Sequence, residues 1–321
     1  MLIIGTNGPD SLSGTPADDE IRGLDGNDTL NGLDGNDLIY GNLGNDLING
    51  DTGNDTLYGG QGIDGISGDS GNDLIYGNFG NDAIDAGTGN DTVFGGQGDD
   101  FVIGNTGNDL IYGNLGDDTV LGNDGNDTIY GGQGNDVLVG ETGTETGTGN
   151  DIVYGNFGND SLSGDAGNNT VYGGQGDDLI IENGGPTNSD HLFGNLGADE
   201  FDFATFGQPQ SGQTQATADH ISDFSEAQDD FVTIRAPTGG LVYAETQGNA
   251  SVVGVEQAIT FATSNNLFSS ANVVFVAGVT DGYLLVDADN SHTFGGPNDY
   301  AIVLDGLNNT NLFGPQDLLT L

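Results

Sequence analysis

The sequence predicts an all-β fold: a solenoid of nonapeptide repeats with two parallel sheets, then a small mostly-β C-terminal domain. Three observations predict it. A nine-residue phrase, G-G-x-G-x-D-x-U-x with U a large aliphatic, recurs from Gly5 to Asp202; its clearest copies are Gly59-Gly-Gln-Gly-Ile-Asp64-Gly-Ile-Ser67 and Gly95-Gly-Gln-Gly-Asp-Asp100-Phe-Val-Ile103. The eighth residue is aliphatic in the first 20 of 21 units (Leu12, Ile21, Leu30, Ile39 and so on to Leu192), and Phe201 fills the last. After Asp202 the phrase stops and ordinary globular composition begins.

The eighth position defines the strand. One apolar residue between two outward neighbours buries one face of a short strand. A six-residue glycine-rich loop then reverses the chain. Two nonads therefore make one 18-residue turn of a flattened coil, with a row of aliphatic side chains between two parallel sheets. Fifteen nonads run unbroken from Gly5 to Val139, then Gly140 to Glu145 shift the phase by six. Four more fill Thr146 to Ile181, Glu182-Asn-Gly184 add three residues, and two last units occupy Gly185 to Asp202.

Composition supports a repeat rather than a linker. The 321 residues include 60 glycines and only 7 prolines, and the glycines are periodic. Two basic residues, Arg22 and Arg235, face 50 acidic ones, a formal net charge of −48. This balance excludes nucleic acid and anionic membrane surfaces as partners, and the chain repels itself unless it binds cations. There is no cysteine, hence no disulfide framework or zinc–thiolate site. No run approaches 18 apolar residues, so no membrane insertion is expected. The start, Met1-Leu-Ile-Ile-Gly5, lacks a basic n-region and predicts no cleaved N-terminal signal.

Position six carries the chemistry. It is Asp in 20 units and Asn169 in the other: Asp10, Asp19, Asp28, Asp37, Asp46, Asp55, Asp64, Asp73, Asp82, Asp91, Asp100, Asp109, Asp118, Asp127, Asp136, Asp151, Asp160, Asp178, Asp190 and Asp199. A carboxylate in each loop, with glycine backbones free to turn their carbonyls inward, suits a hard cation wanting six to eight oxygens. These aspartates are the candidate ligands of multiple Ca²⁺ ions, with stacked loops sharing an ion. Asn at position five (Asn27, Asn36, Asn45, Asn54) is expected to take left-handed backbone. A core one aliphatic wide, set against glycine's entropy, predicts that the coil needs its ions to fold. The G-x-G strings are not phosphate loops, since no basic residue accompanies them and the period is wrong for βαβ units.

A longer period overlies the nonad. GGQG occurs at 59, 95, 131 and 173, and GN(L/F)G at 41, 77, 113, 155 and 194. Their spacing is 36 residues, apart from the offsets of six and three. Position nine is aromatic every 18 residues: Tyr40, Tyr58, Tyr76, Phe94, Tyr112 and Tyr130, then Tyr154, Tyr172 and Phe193. These residues are predicted to stack, facing outward, on one sheet. The row reads either as support for a thin sheet or as a contact for a second copy, a glycan or another surface partner.

The expected organisation is a repeat domain over 1–202, a linker loop over 203–218 and a capping domain over 219–321. In the last, strands are expected near Phe231–Arg235, Val273–Ala277, Tyr283–Asp287 and Tyr300–Asp305, and a short helix near Val255–Ser264. The three histidines (His191, His220, His292) match no metal-ligand spacing. Asp287-Ala-Asp-Asn-Ser291 resembles the start of an EF-hand loop, but His292 replaces its glycine and Asn298 its closing Glu. Neither H-E-x-x-H nor G-x-S-x-G occurs, and the chain is read as not an enzyme.

The nonads, followed by Asp219-His-Ile-Ser-Asp-Phe224, Asp229-Asp-Phe-Val-Thr-Ile234, Tyr283-Leu-Leu-Val-Asp287 and Asp299-Tyr-Ala-Ile-Val-Leu-Asp-Gly306, resemble the RTX (repeats-in-toxin), haemolysin-type calcium-binding proteins. The C-terminal part is similar to the β-roll ends of serralysin-type proteases. The resemblance implies a right-handed parallel β-roll, loop aspartate ligands for calcium, and type I export with an uncleaved C-terminal signal; the end Asp317-Leu-Leu-Thr-Leu321 is similar to that signal. Such proteins usually carry an enzyme or pore-forming domain ahead of the roll, whereas this chain enters the roll at Gly5. The reading is a secreted, extracellular or cell-surface calcium-binding protein with a structural or adhesive role. One alternative is the roll module of an exported enzyme or toxin without its active domain. Another is ice binding, because Thr52, Ser70, Thr88 and Thr106 align and Gly87-Thr-Gly-Asn-Asp91 is similar to the repeat of β-roll antifreeze proteins; Asp124 breaks the row.

Overall fold

The structure is a computed structural model. It describes residues 1–141, 149–182, 188–203, 219–223, 231–234, 243–247, 273–277, 282–286, 300–304 and 318–320. All regular elements among these are strands, as the repeat predicts. Two compact units divide the chain, Met1–Leu162 and Ser163–Leu321.

The first unit is a parallel β-solenoid. One sheet runs from Leu2–Ile4 and Glu20–Asp25 through Leu38–Leu43, Thr56–Gln61 and onward to Ile152–Phe157. The other runs from Ser11–Ser13 and Thr29–Asn31 to Val137–Val139. Each strand pairs with the one a full turn away at a separation of 18: Ile39 with Leu57, Leu57 with Ile75. Past the first phase shift Thr128 pairs with Ile152, so the six extra residues leave the ladder in register. The position-eight row is the core: Ile39, Leu57, Ile75, Val93, Ile111 and Ile129 are completely buried. At about 0.8 kcal/mol per buried CH₂, each holds its strand only locally.

Strand length differs from expectation. On the first sheet the strands from Glu20–Asp25 to Ile152–Phe157 are six residues, as are Ala83–Thr88, Phe101–Thr106 and Thr119–Asp124 on the other, because positions two and three continue the ladder: Asn42 pairs with Gly60 and Leu43 with Gln61. The turn needs only the three residues that remain. Position two makes this feasible by adopting the left-handed region, at φ 78° for Asn42 and 81° for Asn114. Leu24 and Leu33 adopt it too, at 84° and 79°, where a bulky side chain costs about 1–2 kcal/mol. Leu33→Asn is therefore expected to stabilise the calcium-loaded roll by about 1 kcal/mol, read as a higher urea midpoint.

The aromatic row is stacked as expected. From Tyr40 to Tyr154 successive rings lie 4.7–5.0 Å apart with planes within 7°. Arg22, which pairs with Glu20, lies over the Tyr40 ring with its guanidinium carbon 5.6 Å from the centroid.

In the second unit the same pattern continues with a 21-residue step, matching the three extra residues: Thr170 pairs with His191, and Leu179 with Glu200. Tyr172 and Phe193 stack at 4.6 Å. The coil then passes into a mixed sheet. Asp219–Ile221 joins His191–Leu196 in parallel and is flanked by Tyr300–Leu304, which pairs antiparallel with Gly282–Val286. That strand is antiparallel to Val273–Ala277, which lies parallel to Tyr243–Gln247. On the opposite sheet Phe231–Ile234 receives the terminal strand Leu318–Thr320. Four C-terminal strands thus fall where expected. Tyr283, Leu284, Leu285, Ile302 and Val303 are buried. The helix expected near Val255–Ser264, the EF-hand-like segment, His292 and nearly all of the 203–218 loop lie outside the described residues.

Candidate calcium-binding loops

Glycine at positions one and four sets the loops. Gly44, Gly53 and Gly71 take φ between 130° and 147°. Any Cβ there would strike the carbonyl of the glycine one turn before: Gly26, Gly35 and Gly53 respectively. Position one is equally confined, but by functional atoms. A methyl on Gly95 would lie 2.5 Å from Asp100 Oδ2 and 2.9 Å from the Gly113 carbonyl oxygen; on Gly104, 2.6 Å from Asp109 Oδ2 and 2.7 Å from that of Gly122. At each position-one glycine from Gly5 to Gly131 a carboxylate oxygen and a backbone carbonyl of the next turn, glycyl except at Ala86, crowd the same gap.

Position five does something other than expected. Asn27, Asn36, Asn45 and Asn54 are absent from the left-handed set. Their Oδ1 atoms instead accept the backbone N–H of the position-five residue one turn on: Asn27 from Asn45 at 3.0 Å, Asn36 from Asn54 at 2.7 Å, Asn45 from Ile63 at 3.1 Å. An amide ladder runs along the loops, and the left-handed positions are two and four. Asn is selected here as an acceptor of the right length rather than for its backbone freedom.

Position six forms two further ladders. Asp64 Oδ1 accepts the Asp46 N–H, Asp82 Oδ1 that of Asp64, and Asp100 Oδ1 that of Asp82, all at 2.8 Å. The other row repeats this from Asp37 through Asp55, Asp73 and Asp91 to Asp109 at 2.7–2.8 Å. One oxygen of each carboxylate is thereby used. The other, Oδ2, is buried without a hydrogen-bond partner at Asp28, Asp37, Asp46, Asp55, Asp64, Asp73, Asp82, Asp91, Asp100, Asp109, Asp118, Asp127 and Asp136. A buried carboxylate oxygen left unsatisfied is costly, and a whole row of them calls for a counter-charge. The sole arginine of the first unit is engaged elsewhere, with Glu20 and Tyr40.

Electrostatics follow burial. Asp64, Asp73, Asp91, Asp100, Asp118 and Asp136 are each pushed up to about 7, first by desolvation, then by neighbouring carboxylates, against the pull of the N–H they accept. Asp55, Asp109 and Asp160 reach about 6. Asp127 reaches about 8, with Asp109, Asp151 and Glu141 adding to its burial.

The ends of the rows differ. Asp10 and Asp19 have Oδ2 engaged by the Thr6 and Thr15 amides, both at 2.5 Å. Asp19 also pairs with the N-terminal ammonium, which holds its carboxyl below the usual range. Asp151 and Asp160 extend the two rows across the 24-residue step. In the second unit Asp190 Oδ1 accepts from the Asn169 N–H and Asp199 Oδ1 from that of Asp178. Asn169, without the charge, turns its Nδ2 to the Asp165 carbonyl.

Two buried residues were not singled out by the sequence pattern, Glu141 and Glu182. The Gly140 carbonyl accepts the Asn123 N–H, and a methyl on Gly140 would meet Asp151 Oδ2 at 2.5 Å. Gly140 and Glu141 therefore fill positions one and two of that loop, rather than belonging to the inserted six residues as the repeat count assigned them. Glu182 donates its N–H to the Asp202 carbonyl as a position-one glycine would, and its side chain bonds Asp190, whose carboxyl is pushed up to about 6 mainly by burial. Both glutamates sit at phase shifts, where a repeat count has least resolution. His191 and His220, far apart in sequence, are register partners.

The donors are all oxygens: from Asp28 to Asp136 one orphaned carboxylate oxygen per loop, with backbone carbonyls on adjacent turns. This set fits a hard divalent cation and suits neither zinc nor copper. Among the described residues no three His, Cys, Asp or Glu side chains converge, so backbone carbonyls must supply most of any shell. A family model, the RTX calcium-binding nonapeptide repeat (4 copies), matches residues 4–39, 31–66, 58–93, 94–129, 112–144 and 145–180. These stretches cover more than half of the chain. The chain belongs to the RTX calcium-binding repeat family. No curated protein matches it. Calcium is the ion of RTX repeats, and the orphaned oxygens lie where RTX loops of successive turns meet. No helix among the described residues is long and apolar enough to cross a membrane.

Proposed function

We propose that this RTX chain is a secreted calcium-binding β-roll that folds on Ca²⁺ outside the cell and serves as a structural or adhesive component of a surface or matrix. The observation that carries the reading is the pair of aspartate ladders, in which each rung from Asp28 to Asp136 has one buried, unsatisfied oxygen. The ligands are the position-six aspartates and glycyl carbonyls of successive turns. The ion supplies the positive charge that these carboxylates lack. Export before folding fits a chain whose ladder cannot close where calcium is scarce. The chain acts through its folded surface rather than by catalysis.

Calorimetric calcium titration of wild type and Asp64→Asn/Asp82→Asn tests the site. Asparagine keeps the Oδ1 acceptor for the backbone ladder and removes the charge. Losing a charge-assisted contact of about 1.5–3 kcal/mol weakens binding by roughly 10- to 100-fold, so the variant should bind fewer ions. Unchanged stoichiometry and affinity would remove these aspartates from the ligand set. Export is checked by co-expression with a type I exporter, with and without residues 219–321; a chain retained in both cases contradicts it.

A further inference from the structure

One face of the first unit is uncharged in a chain that is otherwise a polyanion. In the strands from Leu38–Leu43 to Ile152–Phe157 on the aromatic sheet, no residue is Asp, Glu, Lys or Arg. Charge stands before it, in Glu20–Asp25, and on the opposite sheet, at Asp85 and Asp124. The tyrosines do not make this face a stacking platform. Each ring covers its neighbour, Arg22 covers the outer face of Tyr40, and only edges point out. A sugar or base that binds by face stacking finds no free face along the row.

Beside the aromatic row runs another, at position three. Leu43, Phe79, Leu115 and Phe157 alternate there with Gln61, Gln97 and Gln133, each in register with the next. The four apolar residues are 43, 50, 40 and 52% exposed. Between them lie hollows over the side-chain-free Gly60 and Gly96. One, of about 410 Å³, is bounded by Leu43 and Phe79; the other, of about 400 Å³, by Phe79 and Leu115. Knobs and hollows share one period of two turns, and they alternate.

We propose that this face is where a second copy of the chain docks, with the Leu/Phe knobs of each copy in the glycine hollows of the other, offset by one turn. A foreign partner would have to match a two-turn period by chance. A second copy has it by construction, and knob and hollow are half a period apart on the same face. Charge selects the same partner surface: two polyanions can approach here without carrying carboxylates out of water. Seven strands about 4.8 Å apart and about 20 Å long give roughly 700 Å² per copy, within the range of specific interfaces. The proposal rests on calcium folding, since the face exists only in the coil.

The test is sedimentation velocity of the full chain in millimolar calcium, with circular dichroism on the same samples. The expected result is a doubling of molar mass for wild type and for Leu47→Asp, a control at an exposed site on the opposite sheet. Phe79→Asp/Leu115→Asp is expected to pair at least tenfold more weakly while keeping its calcium-induced β signal. Gln61→Glu/Gln97→Glu, which keeps every knob, should do the same and covers a folding defect in the first variant. A wild type that is folded yet monomeric at about 100 μM overturns the pairing, whatever else the face then binds. So does a charged variant that pairs like wild type. Pairing through this face by a chain already ordered in chelator would overturn the folding reading and leave the pairing standing.

Discussion

Stripped of calcium at neutral pH, the repeat region is expected to lose its β-sheet circular dichroism, and millimolar calcium is expected to restore it. The reason lies in what each nonad contributes. One aliphatic, such as Ile75 or Val93, is buried per nine residues, while backbone must be ordered in all nine, several of them glycine. The backbone ladders only partly offset this, because each hydrogen bond nets about 1 kcal/mol. Against them stand the buried aspartates from Asp28 to Asp136, stacked turn on turn with Oδ2 unsatisfied. Like charges held this close in a desolvated row oppose folding. Calcium reverses the sign of that interaction, and its binding energy becomes folding energy. Spectra in EDTA, then across a calcium titration with a magnesium control, measure this. A repeat region that stays fully β in chelator at pH 7.5 would contradict it.

The second large effect is a pH dependence that changes direction with calcium. In the metal-free fold, burial raises Asp64, Asp73, Asp91, Asp100, Asp118 and Asp136 to about 7 and Asp127 to about 8. In the unfolded chain they titrate near 3.9. Between those values the folded chain binds more protons than the unfolded one, so metal-free stability falls as pH rises. Every one of these shifts opposes folding at neutral pH, and they act in the same direction along both rows. These carboxylates therefore favour metal-free order most at about pH 4 and below, and that order should be lost as pH rises through about 7 to 8. With calcium the carboxylates must be ionised, and protons compete with the metal. The calcium concentration at half-folding should drop steeply as pH rises toward 8 and level off above it. Thermal melts in EDTA and calcium titrations between pH 4.5 and 8.5 check both arms. A metal-free chain more stable at pH 8 than at pH 5 would show that these carboxylates are not desolvated as the ladder places them.

In a solenoid, contacts lie at one fixed sequence separation, and the sequence itself writes that separation out. Ile39 beneath Leu57, Tyr40 stacked on Tyr58, and the steps of 24 and 21 residues at the phase shifts could all be read by counting, because each partner is the same position of the next turn. The position-six row was legible for the same reason. The C-terminal strands were legible singly, from their apolar runs. Their order was not: Ile221 pairs with Leu304, and Val232 with Leu318, across separations that carry no periodic signal.

Other features required three dimensions at the level of single atoms. The letters Asn27 and Asn45 suggest left-handed backbone, yet only the stacking of loops turns them into an acceptor ladder while Leu33 takes the strained φ. An aspartate in a loop can satisfy both oxygens in many ways. It was the coil that gave Oδ1 to the previous turn's N–H and left Oδ2 facing a glycyl carbonyl. A row of tyrosines shows in the sequence, but that their faces cover one another, leaving knobs and hollows beside them as the available relief, depends on ring planes and depths. The repeat by itself determined the coil, its register and the ion class, because those follow from periodic composition. Tertiary structure decided which oxygen remains for the ion and which surface remains for a partner, because both depend on which atoms the neighbouring turn has already engaged.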